Sequence, residues 1–357
     1  MKKKGFTIII FSCLTLLLAS CASSGNSSGK KDTRNLITTP YAKTEFLMGT
    51  VVTLKIYDNG KEAVLDKGFK RVRELADKID VNDEEKRSSQ VDKINAASGK
   101  QPVKVDNDIY YLIKEGIKYS QATGGSKDIS IGPITSLWHI GFPDARKPAQ
   151  SEINQRLPLI GYKNIELNDQ NKTVYLKKAG MQLDLGGIAK GFIADQVEQV
   201  FKANGVTTSI IDLGGNVIVQ GESPKGGDWN VGIQDPFSPR GTILGKLPEQ
   251  NKSIVTSGIY ERFLEVDGKK YHHLFNPKTG YPFDNDIAGV SIISDQSITG
   301  DGLSSAAFSE GIESGLKFIK KQKGVEAIFV SKNKKVYITP GLKGRFELTS
   351  KDFKMGN

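Results

Sequence analysis

Between Glu62 and Asp80 the apolar residues Val64, Leu65, Phe69, Val72, Leu75, Ala76 and Ile79 recur every three or four positions, which predicts an amphipathic helix. Residues 107–125, NDIYYLIKEGIKYSQATGG, repeat that pattern and stop on two glycines. From 44 to 58, TEFLMGTVVTLKIYD is rich in β-branched residues and partly alternates, predicting a strand broken at Gly49. Short strands are expected at 164–169 and 173–178, a helix opening near Ala189 and running towards Lys202, and strands at 207–212, 216–220 and 229–233. Residues 253–277, SIVTSGIYERFLEVDGKKYHHLFNP, predict a hairpin turning on Asp267-Gly268. A strand at 287–294, a helix from Asp301 to about Lys321 and a terminal hairpin over 325–339 complete the pattern. Helices and hairpins mix without strict alternation, so the expected fold is α+β, with mixed or antiparallel sheets and flanking helices, rather than a doubly wound sheet.

The first residues do not fit this pattern. Lys2, Lys3 and Lys4 precede an apolar run, Phe6 to Leu18, that is short for a membrane span. The run ends in Leu18-Ala19-Ser20-Cys21, which resembles a bacterial lipobox; the alternative is an ordinary small-residue cleavage site. The expected organisation is a signal peptide over 1–20, a lipidated Cys21 with a flexible Gly/Ser-rich tether to residue 37, and one folded domain over 38–357. Gly25 to Gly29 matches Gly-x-Ser-x-Gly but has neither the strand before it nor the helix after it that a nucleophile elbow needs.

Composition narrows the function. The only cysteines are Cys13, lost with the leader, and Cys21, so no disulfide or thiolate metal site is expected in the mature domain. The formal charge of +10, part of it on the leader lysines, suits an anionic ligand or a membrane surface. Without clustered arginine and interleaved aromatics it gives no case for nucleic acid.

Four stretches carry candidate chemistry, SIVTSGIYER (253–262) among them. In LDLGGIAKGFIAD (183–195), Gly186 and Gly187 at a strand-to-helix junction permit close backbone approach to an anion, with Lys190 in the first turn; a plain tight turn is the other reading. In 298–319, Asp301 and Ser305 stand four apart on one face of a helix's first turn. They are a hard-oxygen pair suited to Mg²⁺, or else a dipole-complementing carboxylate and a small packing residue. Two of the three histidines, His272 and His273, precede the turn Asn276-Pro277-Lys278-Thr279-Gly280. Neighbours on a strand face opposite sides, so at most one looks into a given pocket and a two-histidine metal site is disfavoured.

Taken in order, FLMGTVV, TGGSKDISIGP, LDLGGIAKGFIAD, IIDLGGNV, TSGIYER, HHLFNPKTGYP and DGLSSAAF resemble the ApbE-type FAD:protein FMN transferases over residues 45–340 or so. The resemblance implies Mg²⁺-dependent cleavage of FAD, transfer of FMN to a Thr or Ser hydroxyl of an exported acceptor flavoprotein, and release of AMP. It implies His273 as the catalytic base, Asp301, Ser305 and the carbonyl of Gly187 as metal ligands, and Cys21 as the lipid-bearing residue. FAD-contacting positions by the same resemblance are Met48, Ser126, Lys127, Asp128, Asp184, Lys190, Ser257, Arg262 and Leu274. It further implies a lipid anchor on the extracytoplasmic face of the cytoplasmic membrane. Two departures stand out: Lys127 lies where relatives often have an aromatic residue, and Glu85 falls near the place of a flavin-stacking Tyr. Two rival readings use the same residues: an FAD pyrophosphatase with water as nucleophile, and a flavin-carrying lipoprotein, which has no need of a base.

Overall fold

The computed structural model of the protein describes residues 35–81 and 88–356. The expected signal peptide, Cys21 and most of the tether, and Glu85, lie outside them. Among the described residues no helix is long and apolar enough to cross a membrane.

The spine is a nine-stranded sheet among these residues. Across it run Leu36–Leu47, Thr50–Asp58, Ser209–Leu213, Asn216–Gln220, Lys252–Gly258, Ile287–Ser294, Glu326–Ser331, Lys335–Ile338 and Lys354–Met355. All neighbours are antiparallel except the last pair. The α+β expectation holds. The helices are α1 (Val64–Ile79), α2 (Gln90–Ala96), α3 (Asn107–Ala122), α4 (Gly132–Trp138), α5 (Gln150–Arg156), α6 (Gly186–Ala203) and α7 (Ser297–Ile319).

Period-two alternation divides the core between the two faces of the sheet. In Glu326–Ser331, Ala327 and Phe329 join the cluster under the helices, while Ile328 and Val330 join the opposite one. That opposite cluster also takes Ile233, Leu244 and Leu247 from a three-stranded sheet of Trp229–Gln234, Ile243–Glu249 and Glu347–Leu348. Covered on both sides, Ile287–Ser294 is buried at every position and therefore reads as an unbroken apolar run.

Several boundaries differ from the sequence reading, each for a physical reason. The first strand begins at Leu36 rather than after the expected tether end at 37, because it pairs with Thr50–Asp58. The break at Gly49 is a hairpin: Met48 (φ 54°) and Gly49 (φ 68°) form a two-residue turn between paired Leu47 and Thr50. Ser253–Gly258 belongs to the main sheet, and only Phe263–Val266 and Lys269–His272 form the hairpin on Asp267-Gly268. α6 opens at Gly186, not Ala189, so Lys190 is in its second turn. α7 opens at Ser297, which moves Asp301 and Ser305 out of the first turn, and its helical path breaks at Gly311 (φ 78°, ψ 175°).

Candidate active site

One side of the site is the end of the small hairpin. Asn276 ties the turn that follows it: its carbonyl accepts from Gly280 N–H at 2.9 Å, its side-chain oxygen accepts from Lys278 N–H at 2.9 Å, and its own N–H donates to Tyr281 at 2.8 Å. Trp138 of α4 clamps this knot. Its indole N–H donates to the Gly280 carbonyl at 2.9 Å, and its ring packs on Tyr271, Phe275 and Tyr281 at centroid distances of 5.3–5.7 Å.

The adjacent histidines then part: the strand ends at His272, and His273 stands just past it. His272 turns inward, with its ring edge-on to Phe308 at 5.5 Å. Its Nε2–H donates to the Phe283 carbonyl at 2.9 Å, and its Nδ1 accepts from Leu274 N–H at 3.2 Å. Both nitrogens are committed, and burial pushes its pKa down to about 4. His273 sits half-buried with Nδ1 3.2 Å from the Arg262 carbonyl. A carbonyl only accepts, so Nδ1 carries the proton and Nε2 keeps its lone pair. Desolvation, reinforced by the charges of Lys190 and Arg262, holds the ring well below the ordinary imidazole range and therefore neutral at physiological pH. His139 is elsewhere occupied, paired with Asp144 at 2.6 Å and stacked on Phe142.

The other side is the crossing of α6 and α7. A Cβ on Gly191 would lie 2.3 Å from the Ser297 carbonyl and 2.8 Å from Asp301 Cβ, so only glycine lets the helices meet this closely. The Gly191 N–H, which in a regular helix points at the Gly187 carbonyl, donates to Asp301 Oδ2 at 2.9 Å. Asp195, one turn on, caps α7 from outside: its carboxylate accepts from Ser297 N–H at 2.6 Å and Ile298 N–H at 2.9 Å. Burial raises its pKa to about 6.

This crossing gathers oxygens around one point, and Lys127 fills it. Its Nζ lies 2.7 Å from the Gly187 carbonyl, 2.8 Å from Ser305 Oγ, 3.2 Å from the Gly302 carbonyl and 3.4 Å from the Asp301 carbonyl. Burial pulls its pKa down to about 8, with Asp301 opposing the shift, so at neutral pH the ammonium stays charged. Lys190 Nζ is 3.9 Å from Asp301 Oδ1. Because Lys190 also acts electrostatically on both His273 and Lys127, it links the two sides. Among the described residues no three His, Cys, Asp or Glu side chains gather as a metal site. The cradle is made instead of carbonyls and a hydroxyl, with the Asp301 carboxylate held beside it by Gly191 N–H.

The remaining predicted positions fall around this frame. Arg262 reaches from the hairpin to the Met48 and Gly49 carbonyls at 3.4 and 3.3 Å, joining the first turn to the residue that holds His273. Leu274 packs against the main core, and Ser257 pairs with the buried Ser304 at 2.8 Å. Ser126 bonds Glu310 at 2.8 Å. Asp184 Oδ1 accepts from Gly186 N–H at 2.8 Å and starts α6. Asp128 is wholly engaged within the chain, accepting from Ser130 N–H, Ser130 O–H and Tyr162 N–H at 2.7–2.9 Å. It therefore fixes the loop that delivers Lys127. Sequence reading assigned no role to Gly191, Asp195 or Ser304; the first two lie inside the glycine-rich stretch it singled out, and only the helix crossing reveals what they do.

Known proteins share this arrangement of chain. A family model described as the ApbE family matches residues 48–329. A curated relative from Klebsiella pneumoniae, named FAD:protein FMN transferase, is 36% identical over 306 residues, 86% of this chain and 94% of its own. One of the same name from Treponema pallidum is 32% identical over 327 residues, 88% and 90% of the two chains. The crystal structure of the ApbE protein from Thermotoga maritima superposes with a TM-score of 0.79 at 29% identity, covering 86% of this chain and 99% of that one.

Proposed function

The chain belongs to the ApbE family, and from that premise we propose that it is an FAD:protein FMN transferase that moves FMN from FAD to a Thr or Ser hydroxyl of an exported acceptor protein. The observation that carries the chemistry is His273, neutral, fixed in its Nδ1–H form and left with a free Nε2. The acceptor hydroxyl gives its proton to Nε2 as its oxygen attacks the flavin-side phosphorus. The bond to the bridging diphosphate oxygen breaks, the phosphoester to the acceptor forms, and AMP leaves; His273 then returns its proton to AMP or solvent. Lys190 and Arg262 place positive charge where the diphosphate's negative charge must be balanced. The Arg262 carbonyl holds the imidazole tautomer throughout.

The donor set around the α6–α7 crossing fits Mg²⁺. Hard oxygens converge there, and the cationic ammonium of Lys127 already stands among them. The Gly187 carbonyl, the Asp301 carboxylate and the Ser305 hydroxyl would hold the ion. Bound there, Mg²⁺ supplies charge neutralisation on the phosphates. Met48, with Ser126, Asp184, Ser257 and Leu274, is assigned to FAD contact on the likeness to the family. Cys21, lipidated, tethers the domain to the outer face of the cytoplasmic membrane, where an exported acceptor is met.

The test is incubation with FAD, Mg²⁺ and a candidate acceptor, followed by a denaturing gel and mass spectrometry. Flavin fluorescence that stays with the acceptor, and an added FMN on a Thr or Ser, are expected. Free FMN and AMP with no labelled acceptor would replace the transferase with a pyrophosphatase; FAD binding without turnover would leave a carrier.

A further inference from the structure

We propose that Lys127 is a built-in occupant of the cation cradle and that a divalent metal binds only by evicting it. The inference rests on the reading of the cradle as a Mg²⁺ site and adds what regulates its loading. The Gly187 carbonyl and Ser305 hydroxyl that would ligate the ion are the two oxygens nearest the Lys127 ammonium, at 2.7 and 2.8 Å. The Gly302 and Asp301 carbonyls complete the ring at 3.2 and 3.4 Å. An ammonium with that many acceptors fills the volume a metal needs, and two cations do not share it.

The surroundings favour a movable side chain on a fixed backbone. Lys127 N–H donates to Thr123 Oγ1 at 3.1 Å, and its carbonyl accepts from the same hydroxyl at 3.3 Å. Asp128, next in the chain, is bonded through both carboxylate oxygens. Eviction therefore asks only for rotation of a flexible four-carbon stem. Ser305 Oγ donates to the Asp301 carbonyl at 3.1 Å, so its lone pairs face either cation without rearrangement. The cradle exists before the metal arrives, and the observed metal affinity is the intrinsic one scaled by the fraction of molecules with Lys127 out.

Mn²⁺ serves as the probe. It is titrated into the purified protein without FAD at one fixed pH, and free Mn²⁺ is read by electron paramagnetic resonance. If Lys127 occupies the cradle in nine molecules of ten, Lys127→Met should bind Mn²⁺ about tenfold more tightly than wild type. Lys127→Gln should follow it, and adding Asp301→Asn should abolish the gain. Equal or weaker binding by both lysine variants overturns the eviction while leaving the cradle a metal site. No Mn²⁺ binding by any form, or binding indifferent to Asp301→Asn, overturns the cradle as well. In the wild-type protein, an amine-reactive reagent followed by peptide mass spectrometry gives a second readout. Labelling of Lys127 should be slow without metal and faster at saturating Mg²⁺; an unchanged rate also overturns the proposal.

Discussion

On the hairpin side of the site, side chains and a turn do the positioning. Asn276 knots the chain, Trp138 clamps the knot, and the buried ring of His272 ends the strand while His273, just past it, keeps a free nitrogen. On the helix side the work is done by backbone. A carbonyl of α6, two carbonyls of α7 and one serine hydroxyl surround a cation because Gly191 lets the helices touch. The difference has a consequence for mutation. The proposed base is a single side chain and is lost by changing it, with little effect on its supports. The carbonyls of a cradle are lost only by moving the helices that carry them.

The largest effect should therefore come from His273→Ala. Removing a positioned general base lowers kcat by about 10²–10⁴-fold. FAD affinity, followed by flavin fluorescence, should stay within a few-fold, and thermal stability should hardly change, since the His273 ring makes one hydrogen bond, to the Arg262 carbonyl, and the backbone bond between the two residues survives. Loss of FAD binding in step with turnover would reassign His273 to the binding site. On the opposite side, Gly191→Ala should fail through stability. The added methyl meets a backbone carbonyl, and overpacking of that kind costs about 1–3 kcal/mol. Denaturant melts should show the loss, together with weaker Mn²⁺ binding as Asp301 is pushed aside. A stable variant with normal metal affinity would mean that the crossing does not set the cradle.

His272→Ala comes next and sharpens the comparison, because it is the other residue's neighbour with the opposite commitments. It orphans the Phe283 carbonyl and the Leu274 N–H, each of which costs about 1–3 kcal/mol if water does not reach it. Turnover per folded molecule should remain within a few-fold of wild type. A collapse of kcat equal to that of His273→Ala would erase the division of labour between the two rings.

This contrast also explains what was legible in the sequence. The α1 stripe and the strand over 287–294 follow from periodicity, which is local. The openings of α6 and α7 were misplaced because their caps are not ordinary local signals. Neither helix has a capping bond from its own N-cap side chain; α6 is started by Asp184 bonding Gly186, and α7 is capped by Asp195 from the other helix. The resemblance makes Lys127 an FAD contact beside Asp128; the partners of its ammonium lie 60 and more residues along the chain, and no spacing rule joins them. Ser253–Gly258 was likewise drawn into a hairpin by proximity in sequence, whereas its partners are strands of the main sheet.

The smallest effect, and the finest test of the hairpin side, is in pH. His273 is held below its ordinary value of 6.5, so lowering pH from 7.5 to 6.5 should not protonate it in the folded enzyme. Stability has the opposite dependence. Because both histidines are depressed relative to the unfolded chain, their neutral-form contribution is present above 6.5 and is lost as pH falls towards the folded values, about 4 for His272. Asp195 pulls the other way: its folded pKa is raised to about 6, so its contribution is full in acid and is lost as pH rises through that value. Rates measured well below the melting temperature should accordingly show no imidazole limb in kcat/KM near 6.5, while the melting temperature responds only weakly to the same change. An acid limb centred on 6.5 would put the base in an ordinary solvated histidine and remove the argument that desolvation by its surroundings readies it.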